Sequence, residues 1–203
     1  DRLWHKMYRG SIYYGRQSAA IHAMSGIDIA LWDIKGKALG LPIHTLLGGP
    51  HRQEIRAYAS TLMPDTPQET ATVVSGVVER GFTAIKLGWG PFGKDADLDV
   101  ALVRAAREAA GDQVDLMFDI GMGWNSADHA IRQVRRFEPY NPYWVEEPFW
   151  PDETAAYRKL ADTVETRIAC GEEDTTHWGF ARMMEETRVD VVQPDVTRAG
   201  GIS

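Results

Sequence analysis

The sequence has a single cysteine, Cys170, so no internal disulfide can form and nothing in its thiol content calls for an oxidising compartment. No apolar run approaches the roughly 18 residues a membrane-spanning helix needs. Basic charge is in the minority: 22 Lys and Arg stand against 29 Asp and Glu, for a formal net charge of −7. The cations are scattered among acids and form no patch of the kind that binds nucleic acid. The opening residues, Asp1-Arg2-Leu3-Trp4-His5, lack the basic-then-apolar layout of a signal peptide. These absences set the expectation of a cytoplasmic protein with neither nucleic acid nor membrane as partner. The chain does not open on Met, which sets the further expectation of a piece of a longer protein. What is present is ordinary globular material, 44% hydrophobic and 25% charged, enough for a sizeable core.

Two patterns follow one another. Residues 1–53 read as mostly helical. Ile21, Met24, Ile27, Leu31 and Ile34 recur at helical spacing within 17–39, Gly40 supplies a stop, and Pro42 prevents continuation. Gly48-Gly49-Pro50 reads as a boundary. Residues 54–203 then alternate strands with helices. Strands are predicted at 56–60, 82–87, 114–118, 143–145, 167–170 and 189–193. Thr66-Pro67-Gln68-Glu69 is a capping box with Pro at the first helical position, and it opens the first intervening helix.

A strict strand–helix alternation implies a parallel sheet. A doubly wound nucleotide binder should carry a Gly-rich loop after its first strand, and Ser60-Thr61-Leu62-Met63 has no glycine. The expected fold class is therefore α/β, a (β/α) TIM-type barrel represented by about six strands, with helical residues 1–53 as part of a separate capping domain. Eight strands close the usual barrel, so two more strand–helix units are expected beyond Ser203.

In such a barrel the chemistry sits where strands end. Those positions carry Lys86, Asp119, Glu146, Glu172 and Asp195, each one strand–helix unit after the last. Carboxylates crowded at one rim repel each other unless a cation sits among them. Asp119, Glu146 and Glu172 leave about three positions of an octahedral ion for water and substrate, which suits one Mg²⁺. No His or Cys stands at these three positions, which argues against zinc.

Several segments carry a family resemblance. Val145-Glu146-Glu147-Pro148, Ala169-Cys170-Gly171-Glu172 and Gln193-Pro194-Asp195-Val196-Thr197-Arg198-Ala199-Gly200-Gly201 resemble the metal and acid–base motifs of the enolase superfamily. Ser25 to Lys37, reading SGIDIALWDIKGK, is similar to the capping-domain helix of the mandelate racemase/muconate lactonizing group. The resemblance covers essentially the whole chain. It implies an enolase-type barrel, modified to (β/α)7β, in which Mg²⁺ bound by Asp119, Glu146 and Glu172 holds a substrate carboxylate while a base removes the proton α to it. The metal then stabilises the resulting enediolate. Lys86 matches the first Lys of the family's Lys-x-Lys motif and is expected to act as an electrostatic or acid–base group. Asp195 matches the position where the mandelate racemase-like branch places an Asp that orients a His on the seventh strand. Glu172 as third ligand and Asp195 on the sixth strand both resemble that branch. Members commonly form symmetric assemblies, so a homo-oligomer is expected.

The sequence departs from the family's pattern twice. The second Lys of Lys-x-Lys is Gly88, and Gly121 stands where relatives often have Asn. A racemase needs a base on each face of the substrate carbon, whereas a dehydratase can work with one acid–base pair. The expected activity is therefore dehydration of an acid sugar by β-elimination, ahead of racemisation or epimerisation of a 2-hydroxy acid and of a metal-binding barrel without turnover. Gly88 and Gly121 are also expected to widen the pocket. Arg198, Trp124 and His177 are the candidates for substrate contact. Glu147 and Glu173, beside proposed ligands, read as structural.

Overall fold

The structure is a computed structural model and describes residues 2–203. These fall into two compact units. The first comprises the described residues up to Ile55 together with Gly171–Arg182 and Gln193–Ser203. The second comprises Arg56–Cys170 and Met183–Val192.

The second unit carries the sheet. Strands β1 (Ala59–Leu62), β2 (Ala84–Gly88), β3 (Asp115–Asp119), β4 (Pro142–Glu146), β5 (Arg167–Cys170) and β6 (Val191–Val192) pair in chain order, every pair parallel. Helices α5 (Pro67–Glu79), α6 (Ala96–Ala110), α7 (Ala127–Phe137), α8 (Thr154–Ala161) and α9 (Thr176–Thr187) alternate with the strands. This is the six-strand part of a (β/α) barrel that the alternation predicts. β1 starts three residues later than its predicted start. Its register with β2 runs from Ala59↔Ile85, and β2 itself begins at Ala84, so residues before Tyr58 have no ladder to join. Arg56 is used differently: its guanidinium donates to Thr83 O and to an Asp115 carboxylate oxygen, tying together the starts of β2 and β3.

Helix starts are capped locally. Thr66 and Glu69 form the reciprocal capping box, Asp95 accepts from the Asp97 and Leu98 amides, and Ser126 accepts from the His129 amide. Alternation along each strand then divides the two faces of the sheet. Ile85, Leu87, Leu116, Phe118, Val145 and Ile168 are fully buried, as are Leu102, Ala106, Val134, Phe137 and Leu160 of the helices. Each large apolar side chain so enclosed contributes about 1.5–3 kcal/mol.

In the first unit, α1 (Arg2–Gly10), α2 (Ile12–Gly15), α3 (Ala19–Leu39) and α4 (Ile43–Leu46) precede the sheet. Ser18 caps α3, and Gly40, at φ 64, closes it in the left-handed conformation. Ile21, Met24 and Trp4 form a small buried cluster. No helix among the described residues is long and apolar enough to cross a membrane.

Candidate active site

The parallel register assembles one face of charged residues in the second unit. Gly88 pairs with Asp119, and Asp119 pairs with Glu146, so the last residues of β2, β3 and β4 form one row. Two residues earlier, Lys86, Met117 and Trp144 form the row below. A spacing of two keeps both rows on one face, away from the buried Leu87, Phe118 and Val145.

The charged groups of this face are mutually satisfied. The Lys86 ammonium donates to Glu146 Oε1 and lies 3.7 Å from Asp119 Oδ2. Trp144 Nε1 donates to the other Glu146 oxygen at 2.8 Å. The Asp119 carboxylate accepts from the Gly121 amide at 2.9 Å and from Trp89 Nε1 at 3.0 Å. The Tyr58 ring lies 5.9 Å from the Lys86 ammonium and edge-on to Trp144.

Electrostatics follow from this arrangement. Burial alone would lower the Lys86 pKa. The hydrogen bond and negative charge of Glu146, helped by Tyr58 and Asp119, more than offset it, so the ammonium is held above the ordinary lysine value. Burial, then the Glu146 charge, push the Asp119 carboxyl above the usual carboxylate range, against the Gly121 amide, Lys86 and Trp89. Two adjacent buried carboxylates with one ammonium lodged against them form a setting that favours cations.

The first unit carries Glu172, Asp195 and Arg198. Glu172 follows β5 by two residues. The Arg198 guanidinium donates to the Glu172 carbonyl at 3.2 Å and stands 3.9 Å from both Glu173 Oε1 and Asp195 Oδ2. Arg198 thus braces the Glu172–Glu173 segment. Asp195 is half-buried and starts a tight turn. Its Oδ1 accepts from the Thr197 hydroxyl and amide, each at 2.7 Å, and this holds its pKa below the usual carboxylate range. The Thr176 amide donates to Ala199 O at 3.1 Å, which joins the start of α9 to the same turn. The turn is anchored on the N-terminal helices. Gly200 accepts from Trp4 Nε1 at 2.6 Å and donates to Ser25 Oγ at 3.0 Å, while Asp28 Oδ2 accepts from the Ile202 and Ser203 amides at 2.7 and 2.9 Å.

Two sequence expectations change here. Gly88 and Gly121 do not widen a pocket. A Cβ at Gly88 would collide with Asp119 Cβ and the Asp119 carbonyl on the paired strand, and a Cβ at Gly121 would meet the Trp89 indole at 2.9–3.2 Å. Both positions are already filled by neighbours. Trp124, 2% exposed, packs against His129 and Phe137 in the core and has no face to offer a substrate. His177 is exposed on α9, its ring tilted 3.8 Å from Trp178 and 6.5 Å from Trp4.

Reading by residue type missed the two indole donors. Trp144 precedes Glu146 by two residues and so shares its face, a signal the alternation contains. Trp89 lies in a loop with no such signal. Glu147, read as structural, is buried at φ 42, its amide on Ala169 O and its carbonyl on the Met122 amide.

Comparison with known proteins identifies the family. Residues 69–203 match the enolase C-terminal domain-like family, and residues 1–48 match the mandelate racemase / muconate lactonizing enzyme N-terminal domain. A D-galactonate dehydratase from Pectobacterium atrosepticum is 36% identical, over 99% of this chain and 53% of its own length. The 3,6-anhydro-D-galactonate cycloisomerase of Zobellia galactanivorans superposes with a TM-score of 0.91 at 34% identity, covering 98% of this chain and 55% of that one. A racemase from Streptomyces coelicolor A3(2), solved with bound magnesium, superposes with a TM-score of 0.90 at 33% identity, covering 98% of this chain and 55% of that one. The chain thus spans about half the length of the relatives it matches. Strand-end acids, sheet register and both matched domains converge: the chain belongs to the mandelate racemase/muconate lactonizing enzyme family of the enolase superfamily.

Proposed function

We propose that the protein is an acid-sugar dehydratase: it removes the proton α to a substrate carboxylate and expels the β-hydroxyl as water, giving a 2-keto-3-deoxy acid. The observation that carries this reading is the crowding at Gly88. Racemisation needs a second base on the opposite face of the substrate carbon, and the position where the family's second Lys would stand has no room for a side chain. Elimination needs only one acid–base pair, which can take the α-proton and then return a proton to the leaving hydroxyl. The dehydratase among the relatives supports the same reading.

Asp119 and Glu146 would hold Mg²⁺, with Glu172 as the third ligand on the strength of the family resemblance alone. The donor set fits: hard carboxylate oxygens, two of them on adjacent strand ends, already drawing an ammonium. A divalent cation bound there would act as a Lewis acid toward the substrate carboxylate. Lys86, paired with Glu146, keeps its proton and serves as an electrostatic partner for that carboxylate. Asp195 has Oδ1 committed to Thr197, and its Oδ2, 3.9 Å from the Arg198 guanidinium, would orient the base.

The test is turnover of the naturally expressed protein with Mg²⁺ on a panel of acid sugars, assayed for 2-keto-3-deoxy products. Product should form, and Glu146→Gln should reduce it by at least about 100-fold, because a ligand loss exceeds the usual effect of disturbing a ligand's support. Racemisation of a 2-hydroxy acid without any dehydration would refute the proposal, and α-proton exchange in D₂O would detect it.

A further inference from the structure

Beside the candidate site, Trp89 is one of the non-glycine residues held in the left-handed conformation. β2 ends at Gly88, and the chain then places Trp89 at φ 61 and Gly90 at φ 62. Gly90 suits that conformation, and a Cβ there would in any case meet the Met63 carbonyl at 2.9 Å. An indole side chain in the left-handed region costs about 1–2 kcal/mol, and such strain persists only where the surroundings impose it. Here Asp119 holds Trp89 twice. The Trp89 amide donates to the Asp119 carbonyl at 3.2 Å, and Nε1 donates to Asp119 Oδ2 at 3.0 Å.

The same indole covers Gly121. Its Cδ2, Cε2 and Cε3 atoms lie 2.9, 3.1 and 3.2 Å from where a Cβ at position 121 would stand. Gly121 in turn donates its amide to Asp119 Oδ1 at 2.9 Å. Trp89 and Gly121 therefore grip the carboxylate from both sides, one oxygen each. Gly121 can sit close enough to do so only because it lacks a side chain. An indole N–H is a donor without a lone pair to give, so Trp89 cannot bind a cation itself. It can only orient the group that does.

We infer that Trp89 is the positioning residue of the proposed metal centre: its N–H fixes the Asp119 carboxylate for a divalent cation, and its ring requires glycine at 121. This rests on the reading of Asp119 as a metal ligand. It explains two features together, the strained φ of an aromatic residue and the glycine at position 121.

The test measures metal affinity rather than turnover. Mn²⁺ binding by electron paramagnetic resonance and Mg²⁺ binding by calorimetry are compared in the naturally expressed protein and in Trp89→Phe. Phe keeps a ring of similar reach and the same backbone demand but removes the donor. Affinity should fall about 10–100-fold, the usual effect of losing a ligand's hydrogen-bond partner, while the melting temperature changes little. Gly121→Asn, whose residue type tolerates a φ of 58, should lower the melting temperature in the wild-type background and be largely neutral in Trp89→Ala, where the ring is gone. Unchanged Mn²⁺ affinity in Trp89→Phe would overturn the inference alone. No divalent-cation binding by the wild-type protein would overturn it together with the metal reading of Asp119. An affinity loss in Trp89→Phe, in a protein that dehydrates no acid sugar, would sustain the inference and refute the proposed reaction.

Discussion

Adding a single methyl group at Gly88 tests the architecture of the strand-end row directly. The Cβ of Gly88→Ala would stand 3.0 Å from the Asp119 carbonyl carbon and closer still to Asp119 Cβ and its oxygen. No real Cβ tolerates such contacts, and two of the three atoms are backbone, so no side-chain rotation can relieve them. β2 and β3 must move apart where Gly88 pairs with Asp119. Overpacking of this kind costs about 1–3 kcal/mol, and the immovable neighbour puts the expectation at 2–3. For a chain of this size that lowers the melting temperature by about 4–12 °C. Calorimetry or circular dichroism would measure it. Gly76→Ala provides the control: it lies inside α5 with nothing within 4 Å of its would-be Cβ, and should gain about 0.5–1 kcal/mol from helix propensity. The displaced Asp119 should also bind Mg²⁺ less tightly. If Gly88→Ala melts within 1 °C of wild type and binds Mg²⁺ equally well, the crowding does not exist and the case against a second base at this position fails.

Two further outcomes follow from buried carboxylates. Asp99, in the first turn of α6, is buried, with Oδ1 accepting from the Gly93 amide and Oδ2 lacking a partner. Burial, only partly offset by that amide, pushes its pKa up to about 6. The folded state then holds a proton that the unfolded chain releases near pH 4, so this group's contribution to stability falls as pH rises from about 4 to 6. Asp99→Asn should be more stable than wild type at pH 7, by up to about 2–3 kcal/mol, and equal to it at pH 4. Urea midpoints across that range would show it, and a variant less stable at pH 7 would contradict it. Asp28→Ala strips two partly buried amides, Ile202 and Ser203, of their shared acceptor. It should cost about 2–4 kcal/mol and accelerate hydrogen exchange at residues 200–203. Unchanged protection there would show that the carboxylate does not hold the segment.

The sheet was legible because its signals are local. Alternation and capping motifs mark the strand–helix units, and Thr66 to Glu69 forms the box its spelling suggests. Asp119 and Glu146 could be singled out because each ends a strand, Lys86 stands two residues before the end of β2 on the same face, and parallel register then brings the three together. What sequence could not convey is how space is filled by residues distant in the chain. A glycine reads as a vacancy, yet Gly88 is glycine because Asp119 crowds it and Gly121 because an indole lies over it. Trp124 follows a strand-end motif as a wall residue would, yet its loop turns it into the core. The left-handed conformation of Trp89 has no local cause in its residue type; contacts with β3 impose it. The role of Asp28 was hidden for the same reason.

The separation between Asp28 and its partners also sets a clock on synthesis. The hydrogen bonds of Trp4, Ser25 and Asp28 to the Gly200–Ser203 segment span 174–196 residues of chain. At about 5–20 residues per second, the ribosome delivers that segment on the order of 10–40 s after the N-terminal helices emerge. Throughout that interval a carboxylate, a hydroxyl and an indole that end up buried stand open to water. α1 and α3 must therefore wait in an incomplete unit, and that interval is when a nascent chain of this family is most open to chaperones and proteases.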